Sequence, residues 1–260
     1  MPDTQDKATI NTAETEPIIT HFNELRQRLL YSFAILLIVF FVCFYCADYI
    51  FNFLTKPLMD AFGDSENRRL IYTGLAEKFF TNIKLAFFSA LIITMPFILC
   101  QIWKFIAPGL YQHERKIFLP FVLMTPVLFA LGVMFVYYFV LPVAWDFFIG
   151  FEQQGSASNL PVQLESKVDE YLSLVMQLIF AFGLVFELPI VLLLLVMSGI
   201  VSIEALKDKR RYAILGAFVV AAVLTPPDPL SQIGLAIPMI LLYELSIIIG
   251  TILEKKKNNR

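Results

Sequence analysis

Residues 171–203 carry a single charge, Glu187, within the run LIFAFGLVFELPIVLLLLVMSG. A carboxylate near mid-bilayer costs about 2.5–3.5 kcal/mol on insertion scales, so such groups face a bundle interior or a polar cavity. Five more apolar runs accompany this one, at 29–47, 85–103, 117–145, 212–227 and 229–253. About 20 apolar residues cross a ~30 Å hydrocarbon core at about 1.5 Å per residue, so six spans are predicted. The fifth run has only 16 residues. It must stand upright, thin the bilayer or be shielded by a neighbour. Of the 260 residues 58% are hydrophobic and 16% charged, too little charge for a surface that faces water throughout.

The fold class that follows is all-α, a polytopic integral membrane protein of six transmembrane helices with both termini cytoplasmic. Lysine and arginine set the orientation: the side holding both termini carries 14 of the 20 cations. Spans are expected near 27–49, 79–103, 117–145, 171–198, 212–226 and 231–253, within a membrane domain of residues 21–253. A basic tail, 254–260, follows it. Residues 1–20 are polar and mostly acidic (Asp3, Asp6, Glu14 and Glu16 against Lys7), the wrong character for the n-region of a cleavable signal peptide. They are expected to form a loosely ordered cytoplasmic tail, with the first span as the insertion signal. Two outer stretches, 48–84 and 146–170, mix polar residues with Phe, Tyr and Pro and are expected to cap one face. Cys43 and Cys46 form a CxxC inside a span, without a basic neighbour, and read as small hydrophobes.

At the cytoplasmic entrance to the first span, THFNELRQRLL (20–30) places Glu24 and Arg28 one helical turn apart. Such a surface pair is worth about 0.3–0.5 kcal/mol, and by itself it marks an amphipathic juxtamembrane helix. The first cytoplasmic loop, WKFIAPGLYQHERK (103–116), turns at Pro108 and Gly109. Glu114 sits beside cations there, and a local salt bridge would account for it. Yet Phe105, Ile106, Leu110 and Tyr111 provide more apolar surface than a connector needs. A carboxylate bordered by apolar groups at a membrane surface suits a ligand with a cationic head and a greasy tail. A guanidinium is the natural head, because its fork pairs bidentately with carboxylate.

Four segments, THFNELRQRLL, FIAPGLYQHERK, FGLVFELP and GAFVVAAVLTPPDPLSQIGLAIPM, stand in an order and spacing that closely resemble the TatC family. TatC is the large subunit of the twin-arginine protein translocase. The resemblance runs from about residue 18 to residue 253. It implies a receptor in the bacterial cytoplasmic (inner) membrane for signal peptides with two adjacent arginines. Their cargo is exported already folded, driven by the proton-motive force. Residue by residue, Glu24 and Glu114 match the family's signal-recognition acids, with Arg26, Arg28, Phe105 and His113 around them. Pro57 in the outer loop, and Asp228 and Gln232 around the hairpin after the fifth span, match functional positions. Glu187 matches the polar position in the fourth span, where the family forms a concave, lipid-facing groove for partner helices. The partners implied are twin-arginine signal peptides, TatB-like and TatA-like single-span subunits, further copies in a multi-copy complex, and the lipid bilayer.

On a helix over 172–197, Glu187 lies about 4 Å from the midpoint. Three readings stay open for it: a hydrogen-bonding group for a partner helix, a polar residue satisfied within its own bundle, or a proton carrier with Glu244 as the second acid. Asp228, in the tight hairpin TPPDPLS (225–231), either caps the following helix alone or also serves transport. No GxxxxGK[ST] occurs, and His21 and His113, far apart in sequence, do not make a metal-ligand set. With no nucleophile–base pair suggested either, no enzymatic activity, cofactor or nucleic-acid partner is expected. The rival from a different class is a proton-coupled small-solute carrier using Glu187 and Glu244.

Overall fold

The structure is a computed structural model that describes residues 6–63, 68–106, 115–153, 160, 162–224 and 229–258. The elements, in chain order, are α1 (Asp6–Tyr45), α2 (Ala47–Phe62), α3 (Glu77–Ile106) and α4 (Arg115–Phe135). A π-helical turn, Val136–Val140, leads into α5 (Leu141–Ile149), followed by α6 (Val168–Val185) and α7 (Leu188–Met197). α8 (Ile203–Asp208), α9 (Arg210–Leu224) and α10 (Pro229–Asn258) complete the series. Five stretches are long and apolar enough to cross a bilayer: Asn23–Tyr45, Glu77–Phe105, Val122–Ile149, Val168–Met197 and Gln232–Lys255. With 15 residues α9 rises only about 22 Å, less than the ~30 Å core. It lies along α10, so a neighbour shields the marginal fifth span. The fold is an all-α, polytopic membrane protein with both termini on the cytoplasmic side.

Two expectations about the first span need correction. The sequence predicts a loosely ordered acidic tail, whereas α1 is already helical from Asp6. The span also stops at Tyr45 rather than 49: the chain turns at Cys46 (φ −95°, ψ 14°) and restarts as α2. The reason is amphipathicity. In α2, Leu54, Pro57 and Leu58 are buried while Tyr49, Phe53 and Met59 are exposed, which suits a helix lying on the bundle rather than crossing the bilayer. Cys43 packs against Ala86 and Ala90 of α3, and both Cys43 and Cys46 are free thiols.

Pro57 lies inside α2, not in a loop, and its missing N–H explains how α2 is anchored. Proline cannot donate to the carbonyl four residues earlier, here that of Phe53. The Tyr137 hydroxyl, presented by the π-helical turn, donates to that carbonyl at 2.9 Å, and the Tyr171 hydroxyl of α6 donates to the Leu54 carbonyl at 2.7 Å. The acceptor that Pro57 frees thus becomes an inter-helix bond, and the Leu54 carbonyl adds a second.

The fourth span is the centre of the molecule. Along α6, residues such as Tyr171, Leu172, Val175, Met176, Leu178, Phe182 and Val185 form a wide buried face, while Ser173, Gln177, Phe180 and Leu184 lie on a less covered one. It packs against α3, α4 and α9. At its crossing with α4, Gly132 faces the Phe182 carbonyl, and Gly183 faces the Phe129 ring. The span is also broken: Phe186 and Glu187 form a turn, and α7 starts at Leu188 with Pro189 in its first turn. Pro189 cannot complete the hydrogen bond that would continue α6.

Beyond the outer ends of the spans, the two loops pair as a cap. Arg68 holds Glu152 through two bonds, one of them Nη2 to Oε2 at 2.6 Å, and the Leu164 N–H donates to the same carboxylate at 2.9 Å. The Ile71 N–H donates to the Ser166 carbonyl at 3.1 Å, and the Val168 N–H donates to the Ile71 carbonyl at 2.9 Å. The Arg68 guanidinium, and after it the Leu164 N–H, hold the Glu152 carboxyl below its ordinary 4.5. That stabilisation is complete above pH 4.5 and is lost as pH falls through the lowered value. Glu152→Gln is expected to cost about 1–2 kcal/mol at neutral pH. In a thermal-melt series its difference from wild type should close on acidification; a difference that stays constant down to acid pH contradicts the assignment.

Candidate functional site

At the cytoplasmic ends of α1 and α3, Arg28 is the hinge of a small polar network. Its Nε and Nη2 donate to Glu24 Oε1 at 3.2 and 2.5 Å. Its Nη1 donates to Gln101 Oε1 of α3 at 2.9 Å. The Glu24–Arg28 bond follows from four-residue spacing on one helix; Gln101 arrives only because α1 and α3 pack as antiparallel neighbours. Glu24 lies one turn beyond Arg28 and Phe105 one turn beyond Gln101, both toward the cytoplasm, so the same packing brings them to one end. The side chains of Arg28 and Glu24 are 24% and 40% exposed, accessible to a ligand yet partly desolvated. Arg26 is exposed beside them. His113 and Glu114 lie outside the described residues, in the stretch that joins α3 to α4.

The second feature is Glu187, 3% exposed. It caps α7 by position, but neither carboxylate oxygen completes a hydrogen bond among the described residues. Thr125 of α4, fully buried, is the polar side chain that faces it. Cys100 of α3 is within electrostatic reach. Close by in the bundle's cytoplasmic half, Trp103, Val122, Ile190 and Leu194 form an apolar cluster, and the Trp103 Nε1–H is also buried without a partner. Within the span Val168–Met197 the acid lies about 7 Å cytoplasmic of the midpoint. In the single chain it is buried, with Thr125 of α4 and Cys100 of α3 among its neighbours.

Comparison with known proteins decides the family. The family model for the Sec-independent protein translocase protein TatC matches residues 20–238. The chain belongs to the TatC family. Among similar relatives, the TatC protein of Magnetococcus marinus is 48% identical over 248 residues, covering 95% of this chain and 89% of that one. That of Rickettsia prowazekii is 49% identical over 234 residues, covering 90% and 92%. That of Escherichia coli strain K12 is 40% identical over 251 residues, covering 96% and 94%. A crystal structure of the twin arginine translocase receptor TatC in DDM superposes with a TM-score of 0.76 at 40% identity, over 88% of this chain and 99% of that one. This TatC-family chain is accordingly a multi-pass inner-membrane component of a Sec-independent protein translocase.

In this TatC-family chain Pro57 and Gln232 fall on the outer half. Pro57 is buried in α2, and Gln232 of α10 reaches the Phe218 carbonyl of α9 at 3.4 Å. Asp228 lies outside the described residues, between α9 and α10. Glu244, expected as a second buried acid, is instead gripped by Arg210 through Nε at 2.8 Å and Nη2 at 2.9 Å, with its side chain 37% exposed. Arg210 opens α9 on the cation-rich cytoplasmic side, so the pair forms there and Glu187 has no acidic companion in Glu244. Sequence reasoning missed Gln101 and Thr125. The available signal was a polar side chain within an otherwise apolar run; the pairing itself depends on which helices touch.

Proposed function

We propose that this chain is the signal-peptide receptor subunit of the translocase. Glu24 and Glu114, with Arg26, Arg28, Phe105 and His113, bind the paired arginines of a signal peptide at the cytoplasmic face and nucleate export of its folded cargo. The observation that carries this reading is that the Glu24 carboxylate, at the same cytoplasmic end as Phe105, already engages a guanidinium, that of Arg28. A signal arginine would make charge-assisted bonds of the same kind, each worth about 1.5–3 kcal/mol, with Arg28 handed to Gln101. The solved relative described as a twin arginine translocase receptor supports the same role.

In this reading Pro57, Glu187, Asp228 and Gln232 serve transport and the docking of TatB-like and TatA-like single-span subunits, in a complex of several copies. Residues 1–20 form the cytoplasmic tail, 21–253 the six-span domain and 254–260 the basic tail. The proton-motive force supplies the energy, in keeping with a sequence that lacks a phosphate-binding GxxxxGK[ST] loop. The solute-carrier alternative is not favoured, because Glu244 is paired with Arg210.

The test is binding of a fluorescent Arg-Arg signal peptide to the purified protein in nanodiscs, beside a Lys-Lys version and the variants Glu24→Ala and Glu114→Ala. Lysine keeps the charge but loses bidentate geometry. A loss of about tenfold or more is expected for the Lys-Lys peptide and for each variant. Equal affinity for the two peptides would refute guanidinium recognition by these acids.

A further inference from the structure

A cavity of about 370 Å³ opens on the outer side between α2, the start of α3, the strand-like segment after Arg68 and the start of α6. Its lining includes three cations, Arg68, Arg69 and Lys78, the Asn82 amide, and an apolar floor with Leu58 and Phe62. Among the described residues no acid lines it. Arg68 is shared with Glu152, whereas Arg69 and Lys78 are exposed and form no ion pair among the described residues. This is an unusual place for such a cluster, since lysine and arginine concentrate on the cytoplasmic side of membrane proteins.

Depth and shape narrow the ligand. The span Val168–Met197 begins at a lining residue, Val168, and the span Glu77–Phe105 begins one residue before another, Lys78, so the cavity's mouth lies at the membrane–water boundary. Leu75, Phe79 and Phe80, exposed beside Lys78, face the same layer. The volume is that of a small-molecule site, and cations above an apolar floor match a phosphate ester joined to hydrocarbon. Basic pockets beside transmembrane helices hold lipid headgroups in this way. We propose that this cavity binds the phosphate headgroup of an anionic phospholipid from the outer leaflet, with Arg69 and Lys78 as its ligands. The bound lipid would bridge α2 to the tops of α3 and α6.

Native mass spectrometry of the full chain, titrated with phosphatidylglycerol or phosphatidylcholine, tests the site. The wild type should hold one phosphatidylglycerol at least about tenfold more tightly than Arg69→Gln/Lys78→Gln, and should not distinguish that variant with phosphatidylcholine. The charge-preserving Arg69→Lys/Lys78→Arg should bind like wild type, and millimolar inorganic phosphate should not displace the lipid. Wild-type affinity in the glutamine variant overturns the proposal. So does equal loss in both variants, which would make the effect one of packing. Displacement by inorganic phosphate alone would identify a free-anion site and equally overturn the lipid assignment.

Discussion

Gly132→Ala is expected to be the most damaging small substitution in the bundle. A Cβ at Gly132 would lie 2.6 Å from the Phe182 carbonyl oxygen and 3.1 Å from the Gly183 Cα, both backbone atoms of the central helix. No rotamer relieves such a contact, so α4 and α6 must separate. Close helix approach through small residues is what holds membrane bundles together, since lipid removes the hydrophobic drive between helices. The cost should be about 3 kcal/mol, at the upper end for overpacking, read as a fall in melting temperature and yield of the purified protein. Gly183→Ala is the control. Its Cβ would meet the Phe129 ring at 2.6 Å, a side chain that can be trimmed, so Phe129→Leu should rescue Gly183→Ala but not Gly132→Ala. A Gly132→Ala protein that melts like wild type would mean the two helices do not cross there.

The second large effect has opposite signs for stability and function. Glu187 is buried with neither oxygen bonded among the described residues, and an unsatisfied buried polar group costs about 1–3 kcal/mol. Glu187→Leu should therefore raise thermal stability while export of a folded Arg-Arg reporter is lost. Arg-Arg peptide binding should persist, because Glu24 and Arg28 sit on α1 and α3. Natural proteins keep such destabilising groups where activity needs them. An incoming helix that supplies a donor would relieve the carboxylate, and Thr125, already facing it, is the group that would have to share it. A variant that is less stable yet exports normally would show that Glu187 merely braces the bundle. Loss of peptide binding in a well-folded variant would break the proposed division between recognition and transport.

The sequence alone determined the solvent and the topology of this protein. Runs of uncharged residues and the cation asymmetry are local and additive, and membrane insertion reads them span by span, so six helices and cytoplasmic termini were legible without any packing. The Glu24–Arg28 pair was legible too, because four-residue spacing on a helix is set by the helix itself. Tertiary structure decided the rest. That Glu244 is claimed by Arg210, that Gln101 meets Arg28, and that Thr125 faces Glu187 all depend on which helix lies beside which. The breaks at Cys46 and at Phe186–Glu187 fall inside apolar runs, where hydropathy is silent. Pro57 gains its meaning only when Tyr137 reaches the Phe53 carbonyl. A backbone acceptor freed in one helix has to be satisfied by another, and no one-dimensional pattern records which one.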